Sequence, residues 1–412
     1  MKSKQAIDRR RLLKSGAAAV GGMALLGNST RASLRALTSS AAADENVLVV
    51  VQLAGGNDGL NTVVPYADDL YHAARDTTRI PAESVLRMDD YRGFNPQLGG
   101  LREVWEQGQL GIVEGVGYPN PNRSHFTSFD IWHAASPRGR TAGYGWMTRL
   151  AAELESTNRN LAVHIGERLP YSLYSPVQPS VCFRDPMLYR WDRNGEAIEE
   201  AARGGMDDGG MEGMKSERRV VDSLRETFTQ AKSSSIAIRE ATSRYKPRAE
   251  YPNQPLAHAM RAAAALIQER IGFRILSVEL TGFDTHGRQQ KKHEDLLATV
   301  DGAVSAFLRD LAGTPMADKT LVMVFSEFGR RVAENGSKGT DHGTAGPMFL
   351  AGPAVKGGLY GQHPTLSDLD EGDLIFNTDF RSVYSTVIQD WFGVDPTRVL
   401  DGTYPTLPCL SS

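Results

Sequence analysis

Apolar residues along this chain fall in short, nearly unbroken runs. The first, Asn46-Val-Leu-Val-Val-Val-Gln-Leu53, is dense in β-branched residues and ends in Ala54-Gly-Gly-Asn-Asp-Gly59. A run buried on both faces and closed by a glycine turn predicts a central strand of a parallel sheet. The same pattern predicts strands at Leu110–Val116, Leu161–Ile165, Phe273–Leu280, Thr320–Phe325 and Pro347–Ala351. Between them the spacing becomes helical. Leu256, Met260, Ala263, Ile267 and Ile271 share one face, as do Leu297, Val300, Val304, Phe307 and Leu311. Strands alternating with helices imply an α/β fold of three layers, a mostly parallel central sheet with helices on both faces. Ligands of such sheets bind beyond the carboxyl ends of the strands, so the loops that follow the runs are where chemistry is expected.

One stretch breaks the pattern. Arg203-Gly-Gly-Met-Asp-Asp-Gly-Gly-Met-Glu-Gly-Met214 is glycine-rich and polar, which predicts a mobile loop. Arg218 to Tyr245 is charged with sparse apolar positions, which predicts an exposed helical segment. Together they read as a helical and loop insertion at about 190–250 in a single domain spanning 44–412.

Composition narrows the function classes. The 412 residues carry 46 Lys and Arg against 49 Asp and Glu, a net charge of −3, and the basic residues are scattered. This excludes a nucleic-acid footprint. Cys182 and Cys409 make no disulfide framework, although one bridge between them would suit an oxidising compartment. At the amino end, Asp8-Arg-Arg-Arg-Leu-Leu-Lys14 precedes an apolar stretch from Gly16 to Gly27 rich in Gly and Ala. That stretch is too short to span a bilayer, and no transmembrane span is expected in the mature chain. The segment resembles a twin-arginine export signal, with Arg9 and Arg10 as the pair, and residues 1–43 are assigned to it and its linker. It reads either as a removable leader, cut near Ala41–Ala43, or as an uncleaved anchor. Export by this route implies the twin-arginine machinery as a partner and a periplasmic or secreted location. It also suits a protein that loads a cofactor before export.

Residue types that bind metals or act on esters gather at the strand ends. Asn57 and Asp58 follow the first strand. Asn122, Arg123, Ser124 and His125 follow the second, Asp284 and His286 the fourth, and Ser326 and Glu327 the fifth. Asp341 and His342 precede the sixth. In Thr281-Gly-Phe-Asp-Thr-His-Gly287 a strand delivers a carboxylate and an imidazole into a glycine-flanked turn. Such a pair suits zinc, manganese or iron; alternatively, Asp284 caps the next helix and His286 is a surface residue. Gly339-Thr-Asp-His-Gly-Thr-Ala-Gly-Pro347 is a second small-residue turn with a histidine, or a loop in which Asp341 binds its own backbone. Ser124 sits where a helix begins. It is either an N-cap or a nucleophile favoured by free amides and a nearby cation, with Arg123 and Asn122 holding an oxyanion. Thr127 and Ser128 are weaker candidates for the same role. His293 reads as a helical surface residue, and His133, Trp132 and His164 as core.

These stretches resemble the alkaline phosphatase superfamily, with its sulfatases and cofactor-independent phosphoglycerate mutases. The resemblance is closer to an uncharacterised family of twin-arginine-exported bacterial proteins within it. It is carried by Leu53-Ala-Gly-Gly-Asn-Asp-Gly-Leu-Asn61, Asn122-Arg-Ser-His-Phe126, Gly282-Phe-Asp-Thr-His-Gly287, Phe325-Ser-Glu-Phe-Gly-Arg330 and Thr340-Asp-His-Gly-Thr344. It implies an alkaline phosphatase-like fold and one or two divalent metals. It further implies Ser124 as nucleophile, Asp284, His286 and His342 at one metal, and Asp58 at the second. A similar spacing in the mutases relates Asp301 to His286. The resemblance departs at the fifth strand, where Glu327 and Phe328 replace an Asp-His pair, so Glu327 is carried over in place of the Asp. In another register Asp341 and His342 are that pair and His363 completes the first site.

The expected activity is hydrolysis of a phosphate or sulfate ester, small-molecule or glycan, with Arg123 or Arg330 holding the non-bridging oxygens. The other reading is a non-catalytic envelope binding or assembly protein that kept the fold and lost the site.

Overall fold

The computed structural model describes residues 45–154, 161–175, 180–190, 229 and 231–411. The leader and the stretch Arg203–Met214 lie outside the described residues. The strands of the main sheet are β1 (Val47–Ala54), β2 (Leu110–Gly117), β3 (Ala162–Ile165), β4 (Val181–Phe183), β5 (Ile275–Thr281) and β6 (Thr320–Phe325). A small antiparallel pair, β7 (Arg330–Glu334) and β8 (Thr340–His342), precedes β9 (Gly346–Ala351), β10 (Gly358–Gly361) and β11 (Thr378–Asp379). Among the described residues the central sheet has nine strands in the order β10-β2-β9-β6-β1-β5-β3-β4, with β11 beside β2. β1 is parallel to both neighbours, with Val50 opposite Ser277 on one side and Met323 on the other.

All residues of β1 are buried, as a strand covered on both faces requires. Alternate side chains serve opposite layers. Val47, Val49 and Val51 pack with α1 (Gly99–Glu106), α4 (Pro255–Gln268) and α5 (Gln289–Leu311). Leu48 and Val50 pack with α2 (His125–Ala134), α3 (Trp146–Glu153) and α6 (Phe380–Thr386). The three-layer, mostly parallel α/β arrangement expected from the sequence is the one observed.

Strand β9 is the exception, antiparallel to both β2 and β6. A hydrophobic run carries no direction, so its sense was not legible. The reversal matters: the amino end of β9 lies at the same sheet edge as the carboxyl ends of its neighbours. Residues just before β9 therefore reach the edge where ligands of such sheets bind. The small β7–β8 hairpin is held there and sets Arg330 opposite His342.

Two expectations need correction. Residues 231–244 are helical as expected but not exposed throughout, since Ile238 and Ala241 are buried in the core cluster that contains α4. Cys182 and Cys409 are both free. No helix among the described residues is long and apolar enough to cross a membrane.

Candidate metal centre

Four loops and one hairpin meet at the carboxyl edge of the sheet. Two close approaches make this possible. Gly55, at φ +124°, packs against the next loop so tightly that a Cβ would stand 2.3 Å from the Asp284 amide nitrogen. A Cβ on Gly339 would stand 2.3 Å from the carbonyl carbon of His286. Only glycine admits both contacts.

Three imidazoles converge there on the carboxylate of Asp284. His286 Nε2 and His342 Nε2 each lie 3.0 Å from Asp284 Oδ1, and 2.9 Å from one another. His125 Nε2 lies 3.5 Å from Asp284 Oδ2. Each ring is held through its other nitrogen. His125 Nδ1 donates to Glu327 Oε1 at 2.7 Å, His286 Nδ1 to Asp341 Oδ1 at 2.9 Å, and His342 Nδ1 to the carbonyl of Arg123 at 2.7 Å. These oxygens only accept, so in the neutral rings Nδ1 carries the proton and Nε2 turns a lone pair towards Asp284. His125 Nε2 is buried and has no hydrogen-bond partner.

The donor set fits a divalent cation. Ligands about 2.0–2.1 Å from zinc stand roughly 3.3 Å apart in a tetrahedron, close to the separations among His286, His342 and Asp284 and to that of His125 from Asp284. The ligand atoms of His125, Asp284 and His342 lie within 4.8 Å of one another. Oxygens fixing the far nitrogen of each histidine are the usual second layer of such a site. The electrostatics agree. Burial opposes ionisation of Asp284, but the hydrogen bond and the charge of Arg330 hold it well below the usual carboxylate range. Burial keeps His342 low and hence neutral, whereas the bond to Glu327 raises His125.

Ser124 directly precedes His125 in the chain. It occupies the N-cap position of α2, yet its hydroxyl caps nothing and the residue is exposed. Its amide donates to Asn122 Oδ1 at 2.8 Å. The residue before it is clasped by His342 and the residue after it is His125, so Ser124 is bracketed by members of the cluster. Arg123 pairs through Nε and Nη2 with Asp373 Oδ2, at 3.2 and 2.8 Å, which fixes one edge of its guanidinium. Ser128 is buried and donates to the Glu327 carbonyl at 2.6 Å, so it is occupied.

Other expected residues lie elsewhere. Asp58 is fully buried and spent: Arg75 Nη1 lies 2.7 Å from Oδ2, Gln289 donates to the same oxygen, and Oδ1 accepts the Asn61 amide at 3.3 Å. A carboxylate neutralised by an arginine inside the protein is not a free ligand. Glu327 is also buried and stands one layer behind, its Oε1 accepting from His125 and from the Gly55 amide at 2.9 Å. Arg330 does not face outward. It donates to the carbonyls of Gly55, Gly56, Phe283 and Thr340 and to Asp284 Oδ1 at 2.9 Å. Phe328 wedges between two imidazoles, 5.0 Å from the His125 ring and 4.7 Å from that of His342.

His363 bonds Glu114 at 3.0 Å and takes no part, which removes the second register. Asp301 accepts the Gly100 and Leu101 amides at the start of α1, a structural cap. His293 is buried rather than on the surface, with Nε2 2.9 Å from Asn57 Oδ1. His133 and His164 are buried as expected, bonded to Gln52 at 2.7 Å and Ser277 at 3.2 Å. His125 was not singled out as a ligand. Its one signal was its place in the loop after the second strand.

Fold and site together define an α/β protein with a histidine–carboxylate centre at the carboxyl edge of its sheet. The family model described as "Protein of unknown function (DUF1501)" matches residues 105–403, and the chain belongs to that family. No curated protein matches its sequence. Among solved structures it is similar to Ps i-CgsB in complex with k-i-k-neocarrahexaose, at 11% identity and TM-score 0.40, covering 87% of this chain and 75% of that one. It is similar to the C-terminal periplasmic domain of EcEptC from Escherichia coli, in complex with Zn, at 10% identity and TM-score 0.36, covering 76% and 75%. It is also similar to the lipoteichoic acid synthase LtaP from Listeria monocytogenes, at 8% identity and TM-score 0.36, covering 80% and 73%.

Proposed function

We propose that this chain is an exported, metal-dependent hydrolase of a phosphate or sulfate ester. The observation that carries the reading is the convergence of three Nε2 atoms on Asp284 beside an uncapped serine. Asp284, His286, His342 and His125 would hold a single divalent cation, of the zinc or manganese type. When bound, it would lower the pKa of a neighbouring hydroxyl and neutralise charge developing on the ester. The protein groups do the rest. The Ser124 hydroxyl, free of any capping bond, is the nucleophile. The first amides of α2 and the positive end of its dipole favour an anionic ester at that spot. Arg123, braced by Asp373 along its Nε–Nη2 edge, offers Nη1 to a non-bridging oxygen. Asp58 and Glu327 serve the frame, so one cation is assigned rather than two. The Arg9-Arg10 leader assigns the protein to the periplasm or the outside by twin-arginine export.

The test is metal content and turnover of the folded protein. One ion per chain is expected, with hydrolysis of 4-nitrophenyl phosphate or sulfate that Ser124→Ala abolishes while metal is retained. A folded chain that takes up no metal ends this reading, and unchanged turnover in Ser124→Ala removes the nucleophile. A second reading, a metal-holding protein of the envelope without hydrolytic activity, is favoured by Arg75 neutralising Asp58 and by Phe328 at a ligand position. It predicts bound metal and no turnover of either ester.

A further inference from the structure

We infer that the face of α2 next to this centre, with the turn at Tyr171–Leu173, binds the sugar rings of an anionic oligosaccharide; this deepens the hydrolase reading and rests on it. Helix α2 carries aromatic side chains on its outer side as well as its inner one. Ile131 and Trp132 face the core, but Phe126, two residues after Ser124, is 85% exposed. One exposed aromatic is ordinary, but several lined up beside a reactive centre mark a contact surface. Asp130 lies one turn further along the same face, about 6 Å up the helix axis. Its Oδ1 accepts from Arg140 Nε at 2.7 Å. The Arg140 guanidinium lies 5.3 Å from the centre of the Tyr171 ring, and Tyr171 stacks with Tyr174 at 5.9 Å and 23°. Tyr174 is 50% exposed. The strip therefore runs from the nucleophile through ring, carboxylate, guanidinium and two more rings.

That alternation selects the occupant. Flat aromatic faces suit the C–H faces of pyranose rings, and the interleaved Asp130 and Arg140 suit their hydroxyls and anionic substituents. An acyl chain needs a continuous apolar groove, which Asp130 and Arg140 interrupt. The strip outruns one monosaccharide, so an oligosaccharide is assigned, with the ester of one ring at Ser124 and its neighbours along the rings.

The experiment is binding of the metal-loaded full chain to a panel of immobilised hexasaccharides, neutral, sulfated and phosphorylated, beside vesicles of phosphatidylglycerol. Anionic hexasaccharides should bind. Phe126→Ala and Tyr174→Ala should each weaken that binding on the order of tenfold, leaving metal content and 4-nitrophenyl ester turnover within about twofold. Arg140→Ala should remove the preference for anionic over neutral sugars. Absence of binding to the whole panel, or binding indifferent to Phe126 and Tyr174, overturns the proposal. So does loss in these variants of vesicle binding alone, which would make the strip a lipid contact. Turnover of the aryl ester reports separately on the hydrolase reading.

Discussion

Glu327 grips His125 across the sheet edge, 2.7 Å from carboxylate to Nδ1, and leaves the opposite nitrogen buried with no partner. The carboxylate fixes both the tautomer and the aim of the ring. Glu327→Gln keeps the size and, with its carbonyl towards Gly55, the amide contact. It loses the charge that makes the imidazole a good donor. Metal affinity should fall about 10–100-fold, the usual cost of losing such a partner. Titration against a competing chelator measures this, and an unchanged affinity would show that His125 is not a ligand.

Arg330 ties two loops and a hairpin together by donating to four carbonyls and to Asp284. Buried carbonyls stripped of their donor cost about 1–3 kcal/mol each. Arg330→Met should therefore destabilise the fold by at least about 4 kcal/mol. Arg330→Lys should rescue little, because an ammonium cannot fork to several acceptors. Urea unfolding of the chelated protein reads the difference. A loss below about 1 kcal/mol would mean that the loops hold their positions without it.

Asp58 and Asp284 should separate cleanly. Asp58→Asn leaves Arg75 as an uncompensated buried charge, a loss of about 3–5 kcal/mol, yet the metal count should stay at one. Asp284→Asn should abolish metal binding and also lower the stability of the chelated protein, since it removes the carboxylate paired with the buried Arg330. Metal analysis of both variants decides the matter. Loss of an ion in Asp58→Asn alone would restore a second metal site.

What the sequence revealed follows from the kind of signal each residue carries. Strand β1 is a continuous apolar run, and Asp284 and His286 share one turn, so neither needs long-range information. The spent state of Asp58 depends on Arg75, 17 residues away, and that of Glu327 on His125, 202 residues away. A carboxylate in a sequence looks the same whether it faces a cation or an arginine. His293 was legible, because it stands four residues before Leu297 on the stripe that α5 buries. It was missed because histidine is usually a surface residue. The direction of β9, which brings His342 to the site, has no signature in a hydrophobic run.

Acid should destabilise this protein before its carboxylates titrate. Burial lowers His133 to about 3 and both His164 and His293 to about 4, against an ordinary value of 6.5. Above pH 6.5 these groups are neutral in both folded and unfolded chains and stability does not depend on them. Below it the unfolded chain takes up protons that the folded chain refuses, so stability falls with pH until the folded values are reached. Each histidine contributes a slope of up to about 1.4 kcal/mol per pH unit, and three together about 4. Asp58, held low by Arg75 against its burial, adds its loss only below its ordinary 3.8. Urea unfolding with chelator present, at intervals from pH 8 to 4.5, should show a shallow gain as His125, raised by Glu327, takes its proton, and then a steep decline beginning near 6.5. His164→Asn should remove about a third of that slope. Stability that stays flat from pH 7 to 5 would mean that the three histidines are not buried as neutral groups.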